Sequence, residues 1–483
     1  MIFSSTFFLC YFLPALLLIY FLVPRSFKNI VLLIGSILFY AWGAPKFIFI
    51  LIGTTVIDFF LVRSMDGSKS DRNRKLLLAL SIAMNLGFLI YFKYSNFFID
   101  NFNAVLHKMG VTGEIHWTKI VLPIGISFYT FEAMTYMIDV YRRVHAPLNS
   151  FFDYLLYIIL FPKLIAGPII RYHELADQIT DSSERDNVTE KLMGFYRFCI
   201  GLGKKVLIAN TLAQFVDATY GSQELGIDGI LPEYLSAGTL WLAALAYTFQ
   251  IYFDFSGYCD MAIGIGRMLG FKFPENFNNP YISESITEFW RRWHMTLGSW
   301  MRNYLYIPLG GNQRGTGRMY VNLWIVFLIS GLWHGASWTF IVWGIWHGSF
   351  LVAERFILTR ITSKLGRTIR IITTFFVVLI GWVAFRAPSI AHLKGYIKGM
   401  FFMTNGTQQI EFDRQFVVVL IIAILFAFFC IPKTGQRIQD KIYSGTLTDR
   451  THIGFTAGTI VVLIIALSYV TASGYNPFIY FQF

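Results

Sequence analysis

The chain has 483 residues, of which 55% are hydrophobic and 14% charged, against roughly 45–50% and 25% in ordinary soluble domains. That balance excludes a soluble globular enzyme and points to a polytopic membrane protein. The net charge of +12 does not call for nucleic acid, because positive-inside loops between spans generate such an excess unaided.

A spanning helix needs about 20 mostly apolar residues. Runs of roughly that length lie near 7–23, 29–43, 46–62, 76–92, 119–140, 150–170, 194–216, 236–258, 320–356, 369–386, 415–432 and 453–471. The first has no basic segment before it and no small-residue cleavage pattern after it, so it reads as a retained helix. The run at 320–356 is long enough for one tilted helix or two segments. The expectation is an all-α polytopic integral membrane protein, one membrane domain over 1–483, with about 11 to 13 spanning helices. Cys10, Cys199, Cys259 and Cys430 are scattered without CxxC spacing, which implies no disulfide framework and no zinc site.

Lys and Arg in short loops set orientation. Arg63, Lys69, Arg72, Arg74 and Lys75 crowd one loop, Arg142 and Arg143 follow the fifth run, and Lys433, Arg437, Lys441 and Arg450 fill another. All three face the cytoplasm on this rule, which places both termini outside.

Residues 258–318 differ from the rest. Aromatic side chains are abundant, but Arg, Asn, Pro and Gly interrupt every run before it reaches spanning length. Such backbone at membrane depth has to be buried in protein or line a wet cavity. The interval is expected to form short amphipathic or re-entrant helices building a funnel from the cytoplasm, followed by a histidine-bearing segment at 319–356. A cytoplasmic funnel requires one broken crossing inside the interval and two spans in 320–356. Within it, EFWRRWHMTLGSWMRNYLY reads helically, with Phe289, Trp293, Leu297, Trp300 and Tyr304 on one packing face. Arg267, Lys272, Arg291, Arg292, Arg302, Arg314 and Arg318 interleave with glycines there, a composition suited to anions but without a Walker pattern.

The membrane-depth carboxylates Glu132, Asp254 and Asp260 read as partners of Arg or of Tyr and Ser hydroxyls; acids there also suit a proton-coupled transporter of polysaccharide or lipid. Of the nine histidines, His107, His116, His145, His173, His392 and His452 lie in loops or at helix ends, where a solvated or capping role is the default. His334 sits in a stretch from Met319 to Val352 that contains no Lys, Arg, Asp or Glu, and the adjacent Gly335 is expected to leave room for a substrate chain. His347 repeats the WHG triplet 13 residues later; on one continuous helix that is a rise of about 20 Å and a rotation of roughly 220°. The two rings then cannot share a site unless the helix breaks. His294 is the alternative partner for His334. No HxxH or HExxH spacing is present, so no metal is expected.

LPIGISFYTFEAMTYMIDVYRR at 122–143, FPKLIAGPIIRY at 161–172, FQIYFDFSGYCDMAIGIGRMLGF at 249–271, NFNNPYISESITEFWRRWHMTLGSWMRNYLYIPLGGNQRG at 276–315 and SGLWHGASWTFIVWGIWHG at 330–348 together resemble the membrane-bound O-acyltransferase (MBOAT) family. Within it they are most similar to the bacterial branch that acetylates alginate, peptidoglycan and other exopolysaccharides. The resemblance implies spanning helices around a thin centre with a tunnel between the two faces. It implies an essential His334 acting as general base and a second motif histidine, His294, that orients or polarises a thioester carbonyl. Arg302 and Arg314 are the candidate contacts for donor phosphates. Acetyl-CoA or a carrier thioester is implied as donor substrate, with no bound cofactor. The implied partners are membrane lipid, a polysaccharide acceptor and an extracytoplasmic acetyltransferase, in a bacterial inner membrane. The extramembrane loops, of which 93–118 and 387–414 are the longest outward ones, are too short to grip a polymer.

Overall fold

A computed structural model describes all residues except 112, 182, 223–225, 403–405, 445–447 and 479–483. The described chain is helical, with isolated bridges in place of strands. It forms two compact units, Met1 with Cys10–Arg185, and Ile2–Leu9 with Asp186–Phe483.

The first unit contains α1 (Leu13–Leu22), α2 (Lys28–Gly43), α3 (Ile48–Gly67), α4 (Asp71–Lys108), α5 (Ile126–Tyr141), α6 (Phe151–Ile159) and α7 (Tyr172–Thr180). The 38 residues of α4 extend for about 57 Å at ~1.5 Å per residue, well past a hydrocarbon core of about 30 Å. Polar groups inside this unit satisfy one another. Asp58 on α3 accepts from Ser81 Oγ at 2.7 Å and from Asn85 Nδ2 at 2.9 Å on α4. Glu132 on α5 pairs with Lys163, both side chains fully buried.

The second unit contains α8 (Val188–Gly203), a π turn (Lys204–Ala209), α9 (Asn210–Tyr220), α10 (Ala237–Met268), α11 (Ile286–Arg292), α12 (Met295–Met301), α13 (Thr316–His334), α14 (Trp338–Ala353), α15 (Arg367–Arg386), α16 (Ile390–Phe402), α17 (Arg414–Phe428), α18 (Lys433–Ser444) and α19 (Asp449–Ala472). Its hub is the largely buried α10. Gly194 and Gly201 on α8 meet Gly264 and Gly257 on α10, seven residues apart on each helix. A Cβ at Gly201 would lie 2.5 Å from the Gly257 carbonyl oxygen, and one at Gly264 2.6 Å from that of Gly194. The two backbones are in contact because neither helix has a side chain at the crossing.

Two sequence expectations change, and one alternative left open by the sequence is decided. Helix α10 runs uninterrupted to Met268, so the irregular interval begins at Leu269 rather than 258. The segment around FWRRWHM is not one helix, because it breaks at Trp293–His294 between α11 and α12 and the aromatic stripe is divided. The run at 320–356 is two helices, α13 and α14, separated at Gly335–Ser337. Six described helices are both long and apolar enough to cross a membrane, namely α2, α3, α4, α14, α15 and α19, each with its adjoining turns; the pair α17 and α18, bent by 89°, is a seventh candidate. Other apolar runs form shorter helices, such as α1 and α6, or carry charge, as α10 does with Asp254, Asp260 and Arg267.

Gly201→Val inserts atoms where the opposing backbone already sits, so it is expected to destabilise the fold by at least the ~1–3 kcal/mol typical of overpacking. Gly87→Ala, with open space around it, is the matched control. Thermal challenge followed by gel filtration in detergent compares the surviving monodisperse fraction.

Candidate active site

The break after α13 creates the site. Gly335 continues in extended conformation (φ −162°, ψ 150°), and Ser337 caps α14 by accepting from the Thr339 backbone N–H. The chain turns back, and α14 lies along α13. His334 is the last residue of α13, 8% exposed, and its ring meets the rings of Trp333, Trp343 and Phe385 at centroid distances of 5.0, 5.3 and 5.1 Å. The space beside Gly335 is filled by the Phe340 ring, which a Cβ at that position would strike. The glycine therefore serves packing, and the expected room for a substrate chain is not there. His347 lies on α14, fully buried against Trp290 (4.9 Å) and Trp343 (5.2 Å). Because the helix is broken, both WHG histidines touch the same indole, Trp343.

His294 stands between α11 and α12 with φ 46° and ψ 54°. A left-handed non-glycine residue costs on the order of 1–3 kcal/mol and persists where surroundings impose it. Here a short antiparallel pairing does so. Asn278 N donates to Arg292 O and Met295 N donates to Asn276 O, both at 2.9 Å, around a Phe277–Trp293 bridge. The pairing brings the Asn276 side chain to His294 Nδ1, with Oδ1 at 3.0 Å. The imidazole also packs edge-on to Phe255 of α10 at 4.7 Å and lies 6.2 Å from the Trp333 ring. Trp333 is thus the ring neighbour shared by His294 and His334. His294 Nε2 is buried and has no hydrogen-bond partner among the described residues.

A cavity of about 310 Å³ reaches Asn276 and Met295; charged and amide groups of α8, the π turn, α10, α18 and the 275–279 segment line it together with Tyr252, Ile263, Phe277 and Tyr443. Asp260 accepts from Arg197 Nε at 2.7 Å and from Lys204 Nζ at 2.6 Å. Arg197 also makes a two-pronged pair with Glu275 at 2.9 and 2.6 Å and stacks its guanidinium 4.0 Å from the Tyr443 ring centre. Glu132, Asp254 and Asp260 all pair with cations, Asp254 with Lys205 at 2.6 Å. Arg302 and Arg314 are exposed, on the π turn Arg302–Tyr306 and in the following turn. Neither lines this cavity, whose cations are Arg197 and Lys204. Sequence reasoning passed over Asn276, Arg197 and Lys204. Asn276 lies in the NFNN run, yet only the pairing of 276–278 with 292–295 shows its role.

The structure thus places two buried histidines beside one indole, with a cavity that reaches the Asn276 side chain contacted by one of them. Residues 114–393 match the MBOAT, membrane-bound O-acyltransferase, family. The chain is similar along its full length to the probable alginate O-acetylase AlgI of Pseudomonas putida, at 39% identity over all of both chains. It is 32% identical to the peptidoglycan O-acetyltransferase of Helicobacter pylori, over all of this chain and 98% of that one. The teichoic acid D-alanyltransferase of Bacillus subtilis is 28% identical over 44% of this chain and 54% of its own. The chain belongs to the membrane-bound O-acyltransferase family and is a multi-pass O-acyltransferase. The transporter alternative falls away.

Asp260→Asn removes the charge that Lys204 and Arg197 share and leaves Glu275 as the carboxylate partner of Arg197. Breaking a buried pair from one side costs about 3–5 kcal/mol, discounted here because Lys204 is 22% exposed. A lowered thermal midpoint in detergent, larger than that of Arg267→Gln at a more exposed pair, is the expected result.

Proposed function

We propose that this enzyme takes an acetyl group from a cytoplasmic thioester and delivers it for O-acetylation of a polysaccharide outside a bacterial plasma membrane. The observation that carries the reading is the placement of both His334 and His294 beside the Trp333 ring, within the span that matches the family. The acetyl group and the polysaccharide class are supported by what the full-length relatives are named for.

The chemistry follows from the groups. An acceptor hydroxyl oxygen attacks the thioester carbonyl carbon, its proton passes to a base, the C–S bond breaks and the thiol leaves. His334, held among three aromatic rings, is the base, a role worth about 10²–10⁴ in rate. The cavity lining carries two cations, Arg197 and Lys204, against three carboxylates, Asp260, Glu275 and Asp440, with amides from Asn276, Asn278, Asn279 and Gln439. That surface suits the amide-rich pantetheine arm common to CoA and carrier proteins better than it suits phosphates. Phosphates of the donor then lie nearer the exposed Arg302 and Arg314. A polymer is too large for such a cavity, so an extracytoplasmic acetyltransferase partner presents or receives the acetyl group.

His334→Ala is expected to lower acetyl transfer in purified membranes by at least about 10² while the protein stays monodisperse in detergent. His347→Ala, at a ring enclosed by Trp290, Trp343 and Trp382, keeps substantial activity. A folded His334→Ala protein with undiminished transfer refutes the assignment.

The route also fixes topology. Cysteines at Ser68, in the basic loop, and Ser473, after α19, are expected to react with an impermeant maleimide from opposite sides of the membrane. Labelling of both from one side contradicts the cytoplasm-to-outside direction.

A further inference from the structure

We propose that Asn276 is a positioning residue that holds neutral His294 as its Nδ1–H tautomer, so that the ring offers a bare Nε2 lone pair, not an N–H, to the reacting groups. The proposal rests on the acyl-transfer reading and replaces the carbonyl-polarising role that the family resemblance implies for His294.

The argument begins with a donor that has no choice. The backbone N–H of Thr296 points at the Asn276 side-chain atom at 3.2 Å, and an amide N–H can only donate. The atom it meets is therefore the carbonyl oxygen; the flipped amide would set NH₂ against N–H. Thr296 Oγ1 donates to the same oxygen at 2.9 Å, and the Asn276 NH₂ is directed to Cys259 Sγ at 3.1 Å. With Oδ1 fixed as an acceptor, the His294 nitrogen 3.0 Å away must carry the hydrogen. A neutral imidazole has one N–H, so Nε2 is left unprotonated. Nε2 is the ring atom that is buried without a hydrogen-bond partner among the described residues.

The backbone holds this arrangement. Met295 N donates to Asn276 O at 2.9 Å, and the left-handed turn at His294 aims the ring back over the 276 segment. The charged groups nearest this site, Arg197, Lys204, Asp260 and Glu275, are engaged with one another. Among the described residues the hydrogen-bond partner of the imidazole is the neutral Asn276 and not a carboxylate, and its ring neighbours include Phe255 and Trp333.

Two experiments test this. In histidine-labelled protein, nitrogen and carbon shifts of the resonance lost in His294→Gln report which ring nitrogen carries the proton at neutral pH. A protonated Nδ1 with a bare Nε2 is expected, and a protonated Nε2 overturns the proposal whatever the activity. The second is the pH profile of Asn276→Asp. A carboxylate at this place still accepts from Nδ1–H, so activity on the alkaline plateau survives, but it favours the imidazolium and moves the acid limb to higher pH by about 1–3 units. Asn276→Leu, which accepts nothing, loses activity throughout. A ring that works as a donor gives the opposite sign, with activity persisting further into alkali, and that result also overturns the proposal. If wild-type protein shows the Nδ1–H ring but transfers no acetyl group, the acyl-transfer reading fails and the tautomer assignment stands.

Discussion

At membrane depth a charge or a backbone amide finds no solvent, so each must be answered by another part of the same chain. The α8–α10 crossing is where this constraint bears hardest. Helix α10 carries Asp254 and Asp260 deep in the second unit, and the cations that reach them come from α8 and the turn after it: Lys205 to Asp254, and Lys204 to Asp260 together with Arg197, about two turns earlier on α8. Side chains of this length meet their carboxylates only if the helices nearly touch, which Gly194, Gly201, Gly257 and Gly264 allow. Asp217 on α9 is treated the same way by Arg386 of α15 at 2.7 Å and by the Tyr475 hydroxyl at 2.7 Å. Buried pairs of this kind add little net stability beside an apolar core, but removing one member is costly. They lock the register of α8, α9, α10 and α15.

The irregular stretch after α10 is held by the same rule applied to backbone. Its amides are answered by the 276–278 pairing with 292–295 and by Glu354, at the end of α14, whose carboxylate accepts from the backbone N–H groups of Ile286 and Thr287 and from the Thr287 hydroxyl. A carboxylate at the start of α11 also meets the positive end of that helix. With both sides of the segment tied, the cost of a left-handed His294 is absorbed by contacts that would be lost in any relaxed alternative.

Much of this was legible in the sequence. Apolar run lengths led to about 11 to 13 expected spans and located the six described helices long and apolar enough to cross a membrane, the absence of charge around His334 marked a desolvated imidazole, and the ordered motifs between 122 and 348 carried the family. Legibility failed wherever local periodicity was overruled by a distant partner. The stripe Phe289, Trp293, Leu297 is helical by spacing, yet the chain breaks between Trp293 and Met295 because strand-like pairing with 276–278 outweighs one more helical turn. Nor does composition say that Arg197 and Lys204, 56 or more residues before Asp260, line the cavity in preference to the arginines among the glycines at 302–318. Gly310, Gly311 and Gly315 take left-handed turns there, and Arg302, Arg314 and Arg318 stay exposed around them.

The repeated WHG triplet shows how far environment outruns motif. Both histidines are preceded by tryptophan, followed by glycine, and pack on Trp343. His347 sits within a continuous helix, and its Nε2 lies so close to Gly381 of α15 that a methyl group there would collide with it. No substrate atom fits between them. His334 is instead the last residue before a helix break, next to Trp333, whose other ring neighbour is His294. An imidazole at a helix end can be approached along directions that a continuing helix would occupy. The break at Gly335, needed to fold α14 against α13, is thus also what leaves His334 at a helix end while His347 stays enclosed within a helix.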